Sequence, residues 1–161
     1  MPRKYTLLLI TVGVVVLCDQ VSKLYIDAVM WPHQSITVIE NYFDITYVRN
    51  PGGAFGLFAQ AGRRLVRPAL LGLSALAVVI IFWLYHGTPS ERLLVRLAFS
   101  LVLGGAIGNL IDRLRFDAVI DFLDVHWYQY HWPAFNVADA AITVGVTLLC
   151  WDLLLGKSAK R

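Results

Sequence analysis

Seven side chains in this sequence have the right types to do acid–base chemistry together: Asp19, Asp112, Asp121, Asp124 and Asp139, with Asn109 and Asn136. Two carboxylates held close together in a poorly hydrated site cannot both ionise easily. One keeps its proton and serves as general acid, while the other is a base that activates water. Such a pair hydrolyses an amide without metal or covalent intermediate. Asp19 and Lys23 are four apart, which stacks them on one helical face as an ion pair. Asn136 and Asp139 are three apart, again on one face. Residue types leave open which of Asp112, Asp121 and Asp124 would form the reacting pair with a partner.

Competing chemistries have little to stand on. Ser22, Ser74, Ser90 and Ser100 have no GxSxG setting, and neither Cys18 nor Cys150 has a nearby histidine. The two cysteines are 132 residues apart in apolar runs, a spacing that suits small core or lipid-facing side chains better than zinc. Asp121, Asp124, His126 and His131 are a conceivable metal set, but no HExxH-like spacing is present. Neither metal nor cofactor is expected. The alternative to a site is a polar network that only holds helices together.

The elements that must position these residues are membrane spans. Of 161 residues, 58% are hydrophobic and 16% charged, too apolar for a soluble fold of this size. Uncharged runs of fourteen, twenty-three, fifteen and twelve residues follow Lys4, Arg67, Arg96 and Asp139. A span needs roughly 20 mostly apolar residues, so four helices are expected near 5–25, 66–86, 93–114 and 136–156. The first reads as a retained span, because no small-x-small cleavage site follows it. Ionisable groups inside spans are costly and need a partner or a purpose. Here they fall toward the same end of three helices.

Between the first two spans, SITVIENYFDITYV is rich in β-branched and aromatic residues, with Asn41 and Asp44 as turn formers. A small β element at the membrane surface, within residues 27–64, is expected there. Trp127, Tyr128, Tyr130 and Trp132 mark the last connection as a membrane–water interface. In GGAIGN, Gly104 and Gly108 have the small-xxx-small spacing that lets helix backbones approach. The fold class expected is thus mainly α, integral to the membrane, in a single domain.

Orientation follows from the basic residues. Seven (Arg3, Lys4, Arg92, Arg96, Lys157, Lys160 and Arg161) fall on the side of the termini, and seven fall on the other. Setting aside Lys23, Arg49 and Arg113 as site residues leaves seven against four, which puts the termini in the cytoplasm. The net charge of +3 comes with no basic, aromatic-interleaved stretch, so no nucleic-acid partner is expected.

DQVSK at 19–23, NPGGAFG at 50–56, GGAIGNLIDR at 104–113, VIDF at 119–122 and FNVADAAI at 135–142 occur in that order. Together they closely resemble bacterial lipoprotein signal peptidase, or signal peptidase II, over nearly the whole chain. The resemblance implies a monomeric aspartyl endopeptidase of the inner membrane, with its site near the periplasmic face. It would act among membrane lipids on prolipoproteins, cutting N-terminal to a diacylglyceryl-modified cysteine, and would bind inhibitors of the globomycin type. It implies Asp121 and Asp139 as the catalytic pair. Asp19, Lys23, Asn50, Gly52, Asn109, Arg113 and Asn136 would be the supporting and substrate-binding shell. One departure is visible: the family's NxGAAF or NxGASF is here Asn50-Pro51-Gly52-Gly53-Ala54-Phe55. Gly53 adds backbone freedom and Pro51 restricts Asn50 to extended conformations. A transporter using the aspartates as a relay would call for broken helices or an inverted repeat, and neither is apparent. A noncatalytic assembly subunit would keep its function after Asp-to-Asn changes.

Overall fold

The computed structural model describes residues 3–51 and 63–156. Four helices, α1 (Arg3–Val29), α2 (Arg63–Gly87), α3 (Leu93–Phe116) and α4 (Val137–Gly156), are each long and apolar enough to cross a membrane. α1 has 27 residues, about 40 Å at 1.5 Å per residue, so it outreaches a hydrocarbon core of about 30 Å. That surplus carries Lys23 and Asp27 beyond the apolar run.

α3 packs against each of the other three helices. Its glycines make this possible. A Cβ on Gly104 would come within 2.8 Å of Val15 on α1, and one on Gly105 within 2.3 Å of the Ala138 carbonyl oxygen on α4. The outward faces stay apolar, with Leu17, Leu76, Val79, Trp83 and Leu154 all exposed, as suits lipid contact. Cys18 and Cys150 are also on the outside.

The helices are joined at one end by salt and hydrogen bonds. Lys4 Nζ donates to the carbonyls of His86 and Thr88 at 2.7 Å, and Arg96 donates to those of Ser90 and Lys4 at 2.8 and 2.7 Å. Arg92 pairs with Asp152. A small sheet covers the other end. Strands β1 (Ser35–Ile39), β2 (Phe43–Asn50), β3 (Val119–Trp127) and β4 (Tyr130–His131) lie in that order, all antiparallel.

The expected β element is present as a hairpin turning at Asn41 with φ 67°, although Asp44 belongs to β2 rather than to the turn. β3 and β4 were not expected. They occupy the aromatic connection, and β3 is an inner strand. Ile26 of α1 and Met30 just beyond its end pack with Tyr47 of β2 and Ile120 and Phe122 of β3, which fixes the sheet on the bundle. A polar anchor reinforces this: Arg49 donates to Tyr47 Oη at 2.7 Å and to Asp27 at 2.8 Å, and Tyr47 donates to Asp27.

Candidate active site

α3 is capped by Asp117, whose left-handed φ of 57° turns the chain within two residues into β3. That short link brings Asp121 back over Asn109 and Arg113. Alternation along β3 puts Asp121 and Asp124, three apart, on opposite faces. Asp121 is 3% exposed and faces the helices. Asp124 instead meets His131 Nδ1 at 3.0 Å on the far side.

Asp139 is placed by the start of α4. Asn136 precedes the helix, and its Oδ1 accepts the Asp139 N–H at 2.9 Å. Asp139 Oδ2 in turn accepts the Asn136 N–H at 3.3 Å. This is a capping box with Asp in place of Glu at its third position. Asp19 on α1 satisfies a further end amide, accepting the Ala138 N–H at 2.9 Å. Two segments far apart in sequence therefore define where α4 begins.

The two carboxylates share one set of amides. Asn136 Nδ2 donates to Asp121 Oδ1 at 2.7 Å and lies 3.3 Å from Asn109 Oδ1. Asn109 Nδ2 donates to Asp139 Oδ1 at 2.8 Å. Asn50, at the end of β2, donates to Asp121 Oδ2 at 3.2 Å. Lys23 fixes the direction of this chain. Its Nζ can only donate, and it donates to Asn109 Oδ1 at 3.1 Å, so the Asn109 NH2 must face Asp139. Lys23 also contacts Asp19 at 2.8 Å and Asp112 at 2.9 Å, with all three side chains at most 2% exposed. Cutting such a buried pair on one side costs about 3–5 kcal/mol.

Burial, then the negative charge of Asp139, pushes the Asp121 carboxyl up to about 7, against the pull of Asn50, Asn136 and Lys23. Asp121 is thus poised to hold a proton near neutral pH. Both carboxylates open into a cavity of about 1000 Å³. Arg113 and Asn50 line it beside the two carboxylates, Trp132 and Phe135 from the sheet side, and Ala106, Ile142 and Val144 farther along the helices. Around the carboxylates the lining is polar, and elsewhere it is mostly apolar, with Ser74 and Thr143 as the polar additions. Among the described residues no group of three or more His, Cys, Asp or Glu converges as a metal site would need.

The family model for signal peptidase (SPase) II matches residues 11–155. The chain belongs to the signal peptidase II family. It is 51% identical to the lipoprotein signal peptidase of Syntrophotalea carbinolica, over 91% of this chain and 89% of that one. The lipoprotein signal peptidase of Syntrophus aciditrophicus is 45% identical over 99% of both chains. A bacterial membrane enzyme solved by the in meso method at 2.3 Å resolution superposes with a TM-score of 0.86. It is 30% identical, over 96% of this chain and 91% of that one. Membership makes the protein a multi-pass membrane enzyme and an aspartic peptidase.

Asp19, Lys23, Asn50, Asn109, Arg113, Asn136, Asp121 and Asp139, expected together from a signal peptidase II resemblance, do gather at one end of the bundle. Gly52 lies outside the described residues, as does most of the glycine-rich turn. Two participants were not expected in the shell. Gln20 donates to Asp19 at 3.1 Å, to the Gly108 carbonyl at 3.2 Å and to Asp112 at 2.9 Å. Asp112 Oδ2 accepts the Ile120 N–H at 3.1 Å. Asp112 was legible as a polar residue at membrane depth. Gln20 carried no signal beyond its place beside Asp19.

Proposed function

We propose that this chain removes signal peptides from bacterial prolipoproteins, with Asp121 and Asp139 as a water-activating dyad. The observation that carries the reading is the pair of carboxylates tied through Asn109 and Asn136 at the polar end of a large apolar cavity. An acylated substrate cannot leave the bilayer, so its scissile bond has to be met at the membrane surface. The apolar part of the cavity suits the two acyl chains of a diacylglyceryl-modified cysteine, and the dyad suits the peptide bond on its N-terminal side.

In the proposed reaction Asp139, as carboxylate, takes a proton from water while the water oxygen bonds to the carbonyl carbon. Asp121 enters protonated. When the C–N bond breaks, the leaving amine takes the Asp121 proton, and one proton passes back between the carboxyls to restore the pair. Arg113 and Asn50 at the cavity wall provide donors for the substrate carbonyl as charge builds on it. The membrane is the inner membrane, the termini face the cytoplasm, and the sheet and dyad face the periplasm.

The test is substrate discrimination in detergent. Purified protein should cleave a diacylglyceryl-modified precursor, and the same precursor with an unmodified cysteine should be left intact. Equal cleavage of both would refute the assignment of the cavity to acyl chains.

A further inference from the structure

Asp112 and Gln20 have no part in the bond-breaking steps, yet they are woven into the buried network. Asp112 is wholly buried on α3, and its two oxygens accept from three separate donors. They are Lys23 Nζ at 2.9 Å, Gln20 Nε2 at 2.9 Å and the backbone N–H of Ile120 at 3.1 Å. Ile120 is the residue immediately before Asp121. Its carbonyl is gripped as well, by Asn136 Nδ2 at 3.2 Å. The polar backbone groups of that one residue are therefore held by α3 on one side and by the start of α4 on the other. Few arrangements fix the position of the next side chain so closely.

The charges add a second role. Lys23 is a single cation shared by Asp19 and Asp112, with Asn109 as a neutral third partner. Any part of its charge not met by those carboxylates acts on the dyad, where it favours the ionised form of Asp121. Asp121 is faced by Asp139 from α4, Lys23 from α1 and Arg113 from α3. Asp112 is faced by Lys23 and Gln20 from α1, with Asp19 sharing both of those partners, and by the charge of Arg113 on its own helix.

We propose that Asp112, oriented by Gln20, is a positioning residue for the dyad: it fixes β3 through the Ile120 amide and balances the charge of Lys23. This rests on the dyad reading above. A purely structural role would alter stability and total activity without moving the pH dependence.

The experiment is the pH profile of kcat for cleavage of a diacylglyceryl-modified precursor by full-length protein in detergent. Helical circular dichroism and thermal melting serve as the fold check. Asp112→Asn removes one negative charge while keeping an acceptor for Ile120. The alkaline limb should move down by about one pH unit, the low end of what a nearby charge does to a carboxyl. Asp112→Glu restores the charge and should return the limb toward its wild-type place even if activity is reduced. Gln20→Met removes only amide donors, leaves the carboxylates less satisfied, and should move the limb upward by a smaller amount. If Asp112→Asn does not fold, the Gln20→Met profile decides alone. A limb that stays in place in every folded variant overturns the proposal. Failure of the dyad reading would look different, because Asp121→Asn would then remain active whatever happens at Asp112.

Discussion

Asn136 and Asp139 hold each other through two reciprocal side-chain-to-backbone hydrogen bonds, of 2.9 and 3.3 Å, at the first turn of α4. The residue that caps the helix thus also aims one carboxylate and, through Nδ2, ties it to the other at Asp121. In the proposed mechanism, folding and chemistry depend on the same amide.

Replacing that amide should damage both. Asn136→Ala loses a helix cap, worth about 0.5–2 kcal/mol, and also the donor to Asp121. Thermal melting in detergent should fall, and cleavage should fall further than the melting shift accounts for. A variant with lowered melting but unimpaired kcat would separate the cap from the site.

The raised Asp121 carboxyl has consequences for pH. Its folded value of about 7 lies above the ordinary 3.8, so between those values the folded state holds more protons than the unfolded one. The contribution of Asp121 to stability is therefore fully present below about 3.8 and is lost as pH rises through about 7. Cleavage should likewise decline above about 7 as the acid loses its proton. Asp121→Asn should flatten the stability change in that window, which melting at a series of pH values will read. A wild-type melting curve that is unchanged across the window would count against the raised carboxyl.

Close approach of α3 and α4 should tolerate no side chain at Gly105. Its added Cβ would sit 2.3 Å from the Ala138 carbonyl oxygen, one residue before Asp139. Gly105→Ala should cost about 1–3 kcal/mol and displace the dyad. Gly72→Ala on α2, where nothing lies within 4 Å, should be neutral or slightly stabilising. Paired melting measurements compare the two.

Orientation can be read by labelling. Ser90→Cys at the α2–α3 connection should react with a membrane-impermeant maleimide only after cells are opened. Gln129→Cys between β3 and β4 should react in cells whose outer membrane alone has been made permeable. Outside labelling at Ser90→Cys would reverse the topology.

Much of the helical frame was legible because a span is a property of one stretch of chain. Four apolar runs gave four helices, and the first, expected near 5–25, already ran through Asp19, Gln20 and Lys23; α1 extends it by one more turn to Val29. β3 was not legible. VIDFLDV is too short and too mixed for periodicity to separate strand from loop, and its strand character comes from pairing with β2, whose partner residues are 69 to 82 positions away. The site divides in the same way. Asp19–Lys23 and Asn136–Asp139 were visible as local spacings. The selection of Asp121 over Asp124 depends on which face of β3 meets the bundle, and that is tertiary information.

Cleavage of a diacylglyceryl-modified precursor by folded, purified Asp121→Asn and Asp139→Asn proteins, with Asp124→Asn alongside and EDTA added to wild type, decides whether the two carboxylates are the reacting pair. Each dyad change should lower kcat by at least about 100-fold, since an amide neither gives nor takes the proton. Asp124→Asn should keep much of its activity, and the chelator should have no effect. Substantial cleavage by either dyad variant, or inhibition by EDTA that zinc reverses, would contradict the account.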